Sequence, residues 1–306
     1  MELKQCEFCA TVNKSIIYTM KKYFRFLFFA FIFLIIITIV LDLLYTSVYK
    51  YSNSNRSVLK IALDLKDKDI DYVLLGSSRV IHYLDEKQLN EKYHLNGMNL
   101  ALSAARTNEM LLLTEALMRN NNKIKTLFIQ LDGNWNDVAP NALASNVVMP
   151  FIREDFIADN YRQYSTTSKY YYIPFYRYIK YEPLIGFRNI VQNFIKKKSL
   201  SEVGFVPLRV GVFRGAPSYE YTLCDEMNAN VERIIAICKQ NNINPVFFTS
   251  PIYNLNANNE MFDKYLSDYT DFSAIFSDST LFQDELHLNR NGALLFTEIF
   301  GKHYFE

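Results

Sequence analysis

Two adjacent serines, Ser77 and Ser78, follow a short apolar run and could carry out nucleophilic chemistry. Residues 72–75 are apolar, as expected for a buried strand, and Gly76 interrupts the run before helical apolar spacing begins at Val80. A serine at such a turn has its hydroxyl outside the sheet and its N–H at a helix N-terminus, where the N–H can stabilise negative charge. Helix capping is the alternative, and taken alone the stretch favours it.

A second stretch, near the other end of the chain, carries an acid and a base three residues apart. Asp284 and His287 lie in a turn-rich segment, followed by Asn289, Gly292 and an apolar run with helical spacing. In such a loop the imidazole can lie over a serine while the carboxylate fixes its tautomer. Of the four histidines, His287 alone has an acidic residue three positions before it in a turn-rich loop. A surface histidine that caps the last helix is the alternative.

Together the two stretches resemble the SGNH hydrolase superfamily, also called GDSL-like esterases. In that family the nucleophile is the third residue of a Gly-Asp-Ser turn, and an Asp-x-x-His near the C-terminus supplies acid and base. Gly76, Ser77 and Ser78 stand at the first site, and Asp284 and His287 stand at the second. The central serine replaces the usual Asp, as in the membrane-anchored branch that includes the teichoic-acid D-alanylation protein and several polysaccharide O-acyltransferases. The resemblance implies Ser78 as the nucleophile.

The resemblance also implies two donors to an oxyanion, after the second and third strands. Residues 99–107 match the first of these sites, with Ala104 where the family has glycine; a backbone N–H can serve if the turn tolerates a methyl group. An apolar strand ending in Gly133 and Asn134 matches the second, and Asn134 supplies a side-chain amide. Asn136 is the fallback if the correspondence shifts by two residues. Ordinary turn chemistry is the alternative at both sites.

Strand and helix patterns alternate along much of the chain. The predicted strands are 72–75, 97–100, 126–131 and 245–249, and the predicted helices are 80–89, 108–118 and 225–240. Alternation of this kind predicts an α/β fold, a parallel sheet with helices on both faces, which is the three-layer, flavodoxin-like arrangement that the resemblance implies. Sites in such sheets lie at the C-terminal strand ends. Gly76, Ala104, Asn134 and Ser250 each follow a predicted strand.

The N-terminal part predicts one transmembrane helix. Residues 26–49 carry a single charge, Asp42, and at about 1.5 Å per residue they are about 36 Å long, enough to cross a hydrocarbon core of about 30 Å. A buried core helix would need a polar face, and 26–41 offers only Thr38. A cleavable signal peptide would have a shorter apolar region and a small-residue cleavage site. The pattern favours an uncleaved anchor.

Charges beside the anchor predict its orientation. Lys21, Lys22 and Arg25 place the N-terminus in the cytoplasm and the rest of the chain outside, in a single-pass protein of the cell membrane. The predicted parts are a cytoplasmic tail (1–25), the anchor (26–49), a polar stalk (50–70) and an extracytoplasmic SGNH-like domain (71–306).

One segment, from about 138 to 222, does not fit the alternation. Its stretch 161–181 holds eight tyrosines among basic residues, and a lysine run at 196–198 follows. One interpretation is an aromatic and basic surface for glycans or lipid headgroups. The other, which we favour for most of the tyrosines, is an inserted helical subdomain whose rings pack half-buried against the sheet.

Composition narrows the classes of function. A net charge of +1 argues against a nucleic-acid partner. Four cysteines, at 6, 9, 224 and 238, are too few for a disulfide framework, and whether Cys224 pairs with Cys238 stays open. No cofactor or metal is expected.

Three functions compete. The first is an envelope esterase or O-acyltransferase that acts on acyl groups of bacterial cell-envelope polysaccharide or glycolipid through a Ser78 acyl-enzyme, with His287 as base and Asp284 orienting it. The second is a hydrolase only, which removes acetyl or longer acyl groups from glycans or lipids. The third is a catalytically inactive SGNH-like scaffold that assists a membrane-bound O-acyltransferase. The anchor favours the first, because it places the site among envelope polymers.

Overall fold

The computed structural model describes residues 2–52, 57–164, 168–195 and 204–306. The first part of the chain holds a long N-terminal helix and the first three strands: α1 (Glu2–Tyr51), α2 (Val58–Asp64), β1 (Asp69–Leu75), α3 (Ser78–Tyr83), α4 (Glu86–Tyr93), β2 (Gly97–Asn99), α5 (Thr107–Met118) and β3 (Lys123–Gln130).

Short helices make up the middle of the chain. They are the 3₁₀ turn Gly133–Asn136, α6 (Ser145–Val148), the 3₁₀ turn Met149–Phe151, α7 (Asp155–Arg162), α8 (Ser168–Tyr172), α9 (Tyr176–Lys180), α10 (Glu182–Ile185) and α11 (Phe187–Ile195). The C-terminal part holds β4 (Tyr219–Glu220), α12 (Ala229–Gln240), β5 (Asn244–Thr249), β6 (Leu255–Asn256), α13 (Met261–Tyr265), β7 (Tyr269–Asp271), the 3₁₀ turn Ser279–Leu281, β8 (Phe282–Asp284), β9 (His287–Leu288) and α14 (Arg290–Phe305).

Five parallel strands form the central sheet, in the order β2-β1-β3-β5-β7. Successive residues of β1 enter different cores, because side chains alternate across a strand. Val73 and Leu75 belong to a core that includes residues of α5 and α12, whereas Tyr72 and Leu74 pack in a second core with residues of α3, α4 and α14. The prediction of an α/β fold with a parallel sheet and helices is therefore confirmed.

The described helices differ from the predicted ones mainly at their ends. The helix predicted over 80–89 is two helices, because Asp85 caps α4 by accepting hydrogen bonds from the N–H groups of Lys87 and Gln88. The helix predicted over 225–240 begins only at Ala229, because Asn228 caps it. Both caps lie at positions where a short polar side chain satisfies helix N–H groups that have no intrahelical acceptor.

Helix α1 is long and apolar enough to span a membrane between Tyr18 and Tyr51, with a mean hydropathy of 3.0 in its most apolar window. The stretch after it, predicted to be a polar stalk, includes α2. Leu59 and Ala62 of α2 are buried, and α2 packs against α5. This stretch is therefore partly folded onto the domain.

Helices α6–α11 lie within the segment predicted as an insertion, between residues 145 and 195. Four of its eight tyrosines (161, 170, 178 and 181) are buried. Tyr178 packs against Tyr45 and Tyr49 of α1, at ring distances of 5.2 and 6.2 Å. Tyr178 therefore contacts α1 and belongs to the core on that face of the sheet. The lysine run 196–198 lies outside the described residues.

Cys224 and Cys238 are both free thiols. Cys224 is exposed, whereas Cys238 is buried in the core on α12, and burial raises its pKa to about 12. The two residues therefore form no disulfide.

Candidate active site

The turn from β1 into α3 presents the two serines differently. Gly76 lies so close to its neighbours that an added Cβ would stand 2.4 Å from Val80 Cγ2 and 2.8 Å from Gln130 Cβ. Only glycine fits this approach. Ser77 then caps α3, and Ser78 is the first residue of the helix.

Ser77 is buried, and both its hydroxyl and its backbone N–H form hydrogen bonds within the protein. Its hydroxyl donates to Gln130 Oε1 over 2.9 Å, its backbone N–H donates to the same oxygen over 3.1 Å, and its Oγ accepts from Arg79 N. Ser78 is partly exposed, and its Oγ lies 2.9 Å from His287 Nε2. Of the two hydroxyls, that of Ser78 is the one beside a base.

A short hairpin positions the imidazole. Strands β8 and β9 pair Asp284 with His287, whose Nδ1 lies 2.9 Å from Oδ1 and 3.1 Å from Oδ2 of the aspartate. The Leu286 N–H also donates to Asp284 Oδ1, over 2.9 Å, and fixes the carboxylate. Because a carboxylate only accepts hydrogen bonds, this contact selects the tautomer with the proton on Nδ1, in which Nε2 is an acceptor for the Ser78 hydroxyl.

This relay of hydrogen bonds has the parts of a serine nucleophile, a general base and a group that orients the base. The structure thus brings Ser78, His287 and Asp284 into one chain of contacts.

Ala104 stands in the loop after β2 with a φ of +58°, in the left-handed region that favours glycine. The methyl group is therefore tolerated in a glycine-like turn. The loop is fixed beside the Ser77 turn, since the Leu102 N–H donates to Gly76 O over 3.0 Å. The Ala104 N–H donates to no acceptor in the part of the chain that the structure describes.

The side-chain amide of Asn134 has an unused donor. Its Oδ1 accepts from Asp132 N over 3.3 Å, but its buried Nδ2 has no hydrogen-bond partner among the described residues. A buried polar group without a partner is costly and requires an explanation such as a ligand. In Asn136, by contrast, both amide atoms have partners. Its Nδ2 donates to the Thr222 carbonyl over 2.7 Å, and its Oδ1 accepts from the Cys224 N–H over 2.8 Å. The geometry thus favours Asn134 over Asn136 as an oxyanion donor.

A buried ion pair lies under the serine turn, and the sequence interpretation missed it. The guanidinium of Arg79 pairs with Asp132, which also accepts from the Gln130 amide. Gln130 in turn holds Ser77. Burial lowers the pKa of Arg79. A signal was present in the sequence, because Arg79 directly follows the serine motif and Asp132 directly precedes Gly133.

A second imidazole lies beside the relay and was also missed. The ring of His82 meets that of His287 edge-on, with centroids 5.8 Å apart. Its Nδ1 donates to the Val206 carbonyl over 2.6 Å. Burial lowers the pKa of His82, and His287 lowers it further, while the Val206 carbonyl opposes the shift. His82 thus favours the neutral form next to the candidate base.

No protein-family model matches this chain, and no curated protein matches it.

Proposed function

We propose that this chain is a membrane-anchored serine esterase or O-acyltransferase of the SGNH type, with the three-layer, flavodoxin-like fold of that superfamily. The hydrogen-bonded relay of Ser78, His287 and Asp284 is the observation that carries the proposal. Ser78 directly follows the turn at the carboxyl end of β1, the edge at which open α/β sheets hold their ligands.

In the proposed first half-reaction, Ser78 Oγ attacks the carbonyl carbon of an O-acyl ester and His287 Nε2 takes the hydroxyl proton. Asp284 stabilises the imidazolium that forms. The Ser78 and Ala104 N–H groups and the Asn134 amide donate to the developing oxyanion. When the tetrahedral intermediate collapses, His287 returns the proton to the departing alcohol, and the acyl group stays on Ser78.

In the second half-reaction, a sugar hydroxyl or water attacks the acyl-enzyme. His287 removes the proton of the incoming group and then gives it back to Ser78 Oγ. A sugar acceptor makes the protein a transferase, and water makes it a hydrolase. The unpaired Asn134 amide supports the proposal, because an oxyanion would supply the acceptor that this donor lacks.

The proposed location is the outer face of the cell membrane, with O-acylated envelope polysaccharide or glycolipid as substrate. Helix α1 supports an anchor, and Lys21, Lys22 and Arg25 favour a cytoplasmic N-terminus. Protease added to intact spheroplasts should digest the domain while a cytosolic control protein survives. Protection of the domain would contradict this orientation.

The full-length chain, purified in detergent, tests the reaction. It should release the chromophore from a chromogenic acetyl ester, and Ser78→Ala should abolish the release, whereas Ser77→Ala should retain it. Adding candidate glycan acceptors distinguishes acyl transfer from hydrolysis. A wild-type chain that is folded but inert toward the ester would favour the inactive scaffold that assists a membrane-bound O-acyltransferase.

A further inference from the structure

The outer end of α1 is held by the short helices α8–α11, and a buried charge makes the contact. Asp42 accepts from the Phe175 N–H over 2.9 Å, and its oxygens lie 3.0 Å from Arg177 and 2.9 Å from Arg153. The Arg177 side chain is completely buried, and it also donates to Thr46 Oγ1 over 2.8 Å.

The backbone is strained to make this contact. Phe175 has a φ of +64°, in the left-handed region that bulky residues avoid. Such strain persists only where the surroundings determine it. Together with the ring packing of Tyr178 on α1, the contact indicates a fixed junction rather than a flexible tether.

This junction lies at the depth of the membrane surface. Counting from Arg25, a hydrocarbon core of about 30 Å takes about 20 helical residues and ends near Tyr45. Asp42 is thus about 5 Å inside that boundary. The neighbouring Leu43 and Leu44 are more than half exposed, as side chains that face lipid would be. Any residue that touches Asp42 is therefore near the acyl chains.

Large apolar side chains are exposed on the same helices and on the turn between α8 and α9. They are Ile173, Ile179, Leu184, Phe187 and Ile195. Ile173 and Ile179 flank the segment that binds Asp42, and α11 packs beside α1. Exposed Lys169, Lys180 and Arg188 lie among them. Apolar side chains combined with basic ones are typical of helices that lie in a membrane interface.

We infer that α8–α11 form a membrane-seated surface, with their exposed apolar side chains inserted in the outer leaflet and their basic residues at the lipid phosphates. The occupant of this surface is lipid, because the surface is continuous with the lipid-facing side of α1. The inference rests on α1 as a membrane span and is independent of the proposed ester chemistry. It implies that the domain has one fixed orientation on the membrane.

Tryptophan fluorescence in nanodiscs tests this. The chain has one tryptophan, Trp135, which is buried, so an added tryptophan stands out against it. The variants Ile179→Trp and Phe187→Trp report on the surface. Leu295→Trp is the matched control, because Leu295 is exposed on α14, whose core lies on the other side of the sheet from α1. All are made in the full chain.

Lipids brominated on the acyl chains should remove most of the added emission from Ile179→Trp and Phe187→Trp and leave that of Leu295→Trp unchanged. Iodide in the water should have the opposite effect. The inference is overturned if Ile179→Trp and Phe187→Trp respond as Leu295→Trp does, since their surface would then face water and be open to glycans or a protein partner. Thermal unfolding followed by far-UV circular dichroism verifies that each variant is folded. If the chain were inactive toward the ester while brominated lipid quenched Ile179→Trp and Phe187→Trp, the proposed function would be refuted and the membrane-seated surface would stand.

Discussion

Ser78 and His287 are 209 positions apart in the sequence, yet Ser78 Oγ lies 2.9 Å from His287 Nε2. The last helix makes this possible, because α14 packs against α3. Thr297 of α14 donates to the Tyr83 carbonyl over 2.9 Å, and the Tyr83 hydroxyl donates to the Leu286 carbonyl next to His287. Helix α3, which carries the proposed nucleophile, is thus hydrogen-bonded both to the loop that carries the proposed base and to the helix that follows that loop.

Asp284→Asn should lower kcat by about 10⁴, the size of loss known when the aspartate of a Ser-His-Asp triad becomes an amide. The amide no longer selects the tautomer in which Nε2 is an acceptor. The neighbouring carboxylate offers a control, because Glu285 accepts from the Ala216 N–H and has no hydrogen bond to His287 in the part of the chain that the structure describes. Ester hydrolysis by the two variants is compared at equal folded concentration. Equal losses in Asp284→Asn and Glu285→Gln would contradict the triad.

Asn134→Ala should lower kcat by about 10²–10³ with little change in KM, as expected for one lost oxyanion donor. Asn136→Ala removes a similar amide that instead bonds to the 222–224 loop, so it should affect stability more than kcat. A loss in Asn136→Ala without one in Asn134→Ala would show that the third site is misassigned.

Asp132→Ala should destabilise the fold by about 3–5 kcal/mol, because it leaves the buried Arg79 without a counter-charge. Asp225→Ala breaks an exposed pair with Lys264 and should lower the free energy of unfolding far less, because solvent screens an exposed pair. Denaturant unfolding in detergent, followed by Trp135 emission, measures both. Similar losses in the two variants would mean that the Arg79 pair is not a structural support of the serine turn.

The free energy of unfolding should decrease as pH rises from about 4.5 to about 7, because one buried carboxyl group titrates differently in the folded and unfolded chains. Burial raises the pKa of Glu109 to about 7, although the N–H groups of Arg106 and Asn141 lower it. In this window the folded chain keeps a proton that the unfolded chain has lost, so the free energy of unfolding decreases with pH. Glu109→Gln should flatten this slope, whereas the exposed Glu91→Gln should not. A Glu109→Gln variant with an unchanged slope would refute the assignment.

The strands were predictable because their signal is local. Residues 73–75 and 127–129 are buried on both faces of the sheet and read as unbroken apolar runs. The break between α3 and α4 was missed because Asp85 and its helix N–H partners lie within a continuous helical pattern. A single polar capping residue is a weaker sequence signal than an apolar pattern with helical spacing.

Contacts between distant segments could not be read from the sequence. Asp42 and Arg177 are 135 positions apart, and nothing in the local sequence of either one indicates the other as its partner. His82 likewise gains its neighbour His287 only through the fold. The serine motif and the Asp-x-x-His could be singled out because local spacing identifies each of them.

The most direct test of the account is the position of a covalent adduct. The full-length chain is treated with a fluorophosphonate probe, digested and mapped by mass spectrometry. We predict an adduct on Ser78, much weaker labelling in His287→Ala because the base is absent, and retained labelling in Ser77→Ala. An adduct on Ser77, or no adduct on a folded chain under conditions that label a related esterase, would contradict the account.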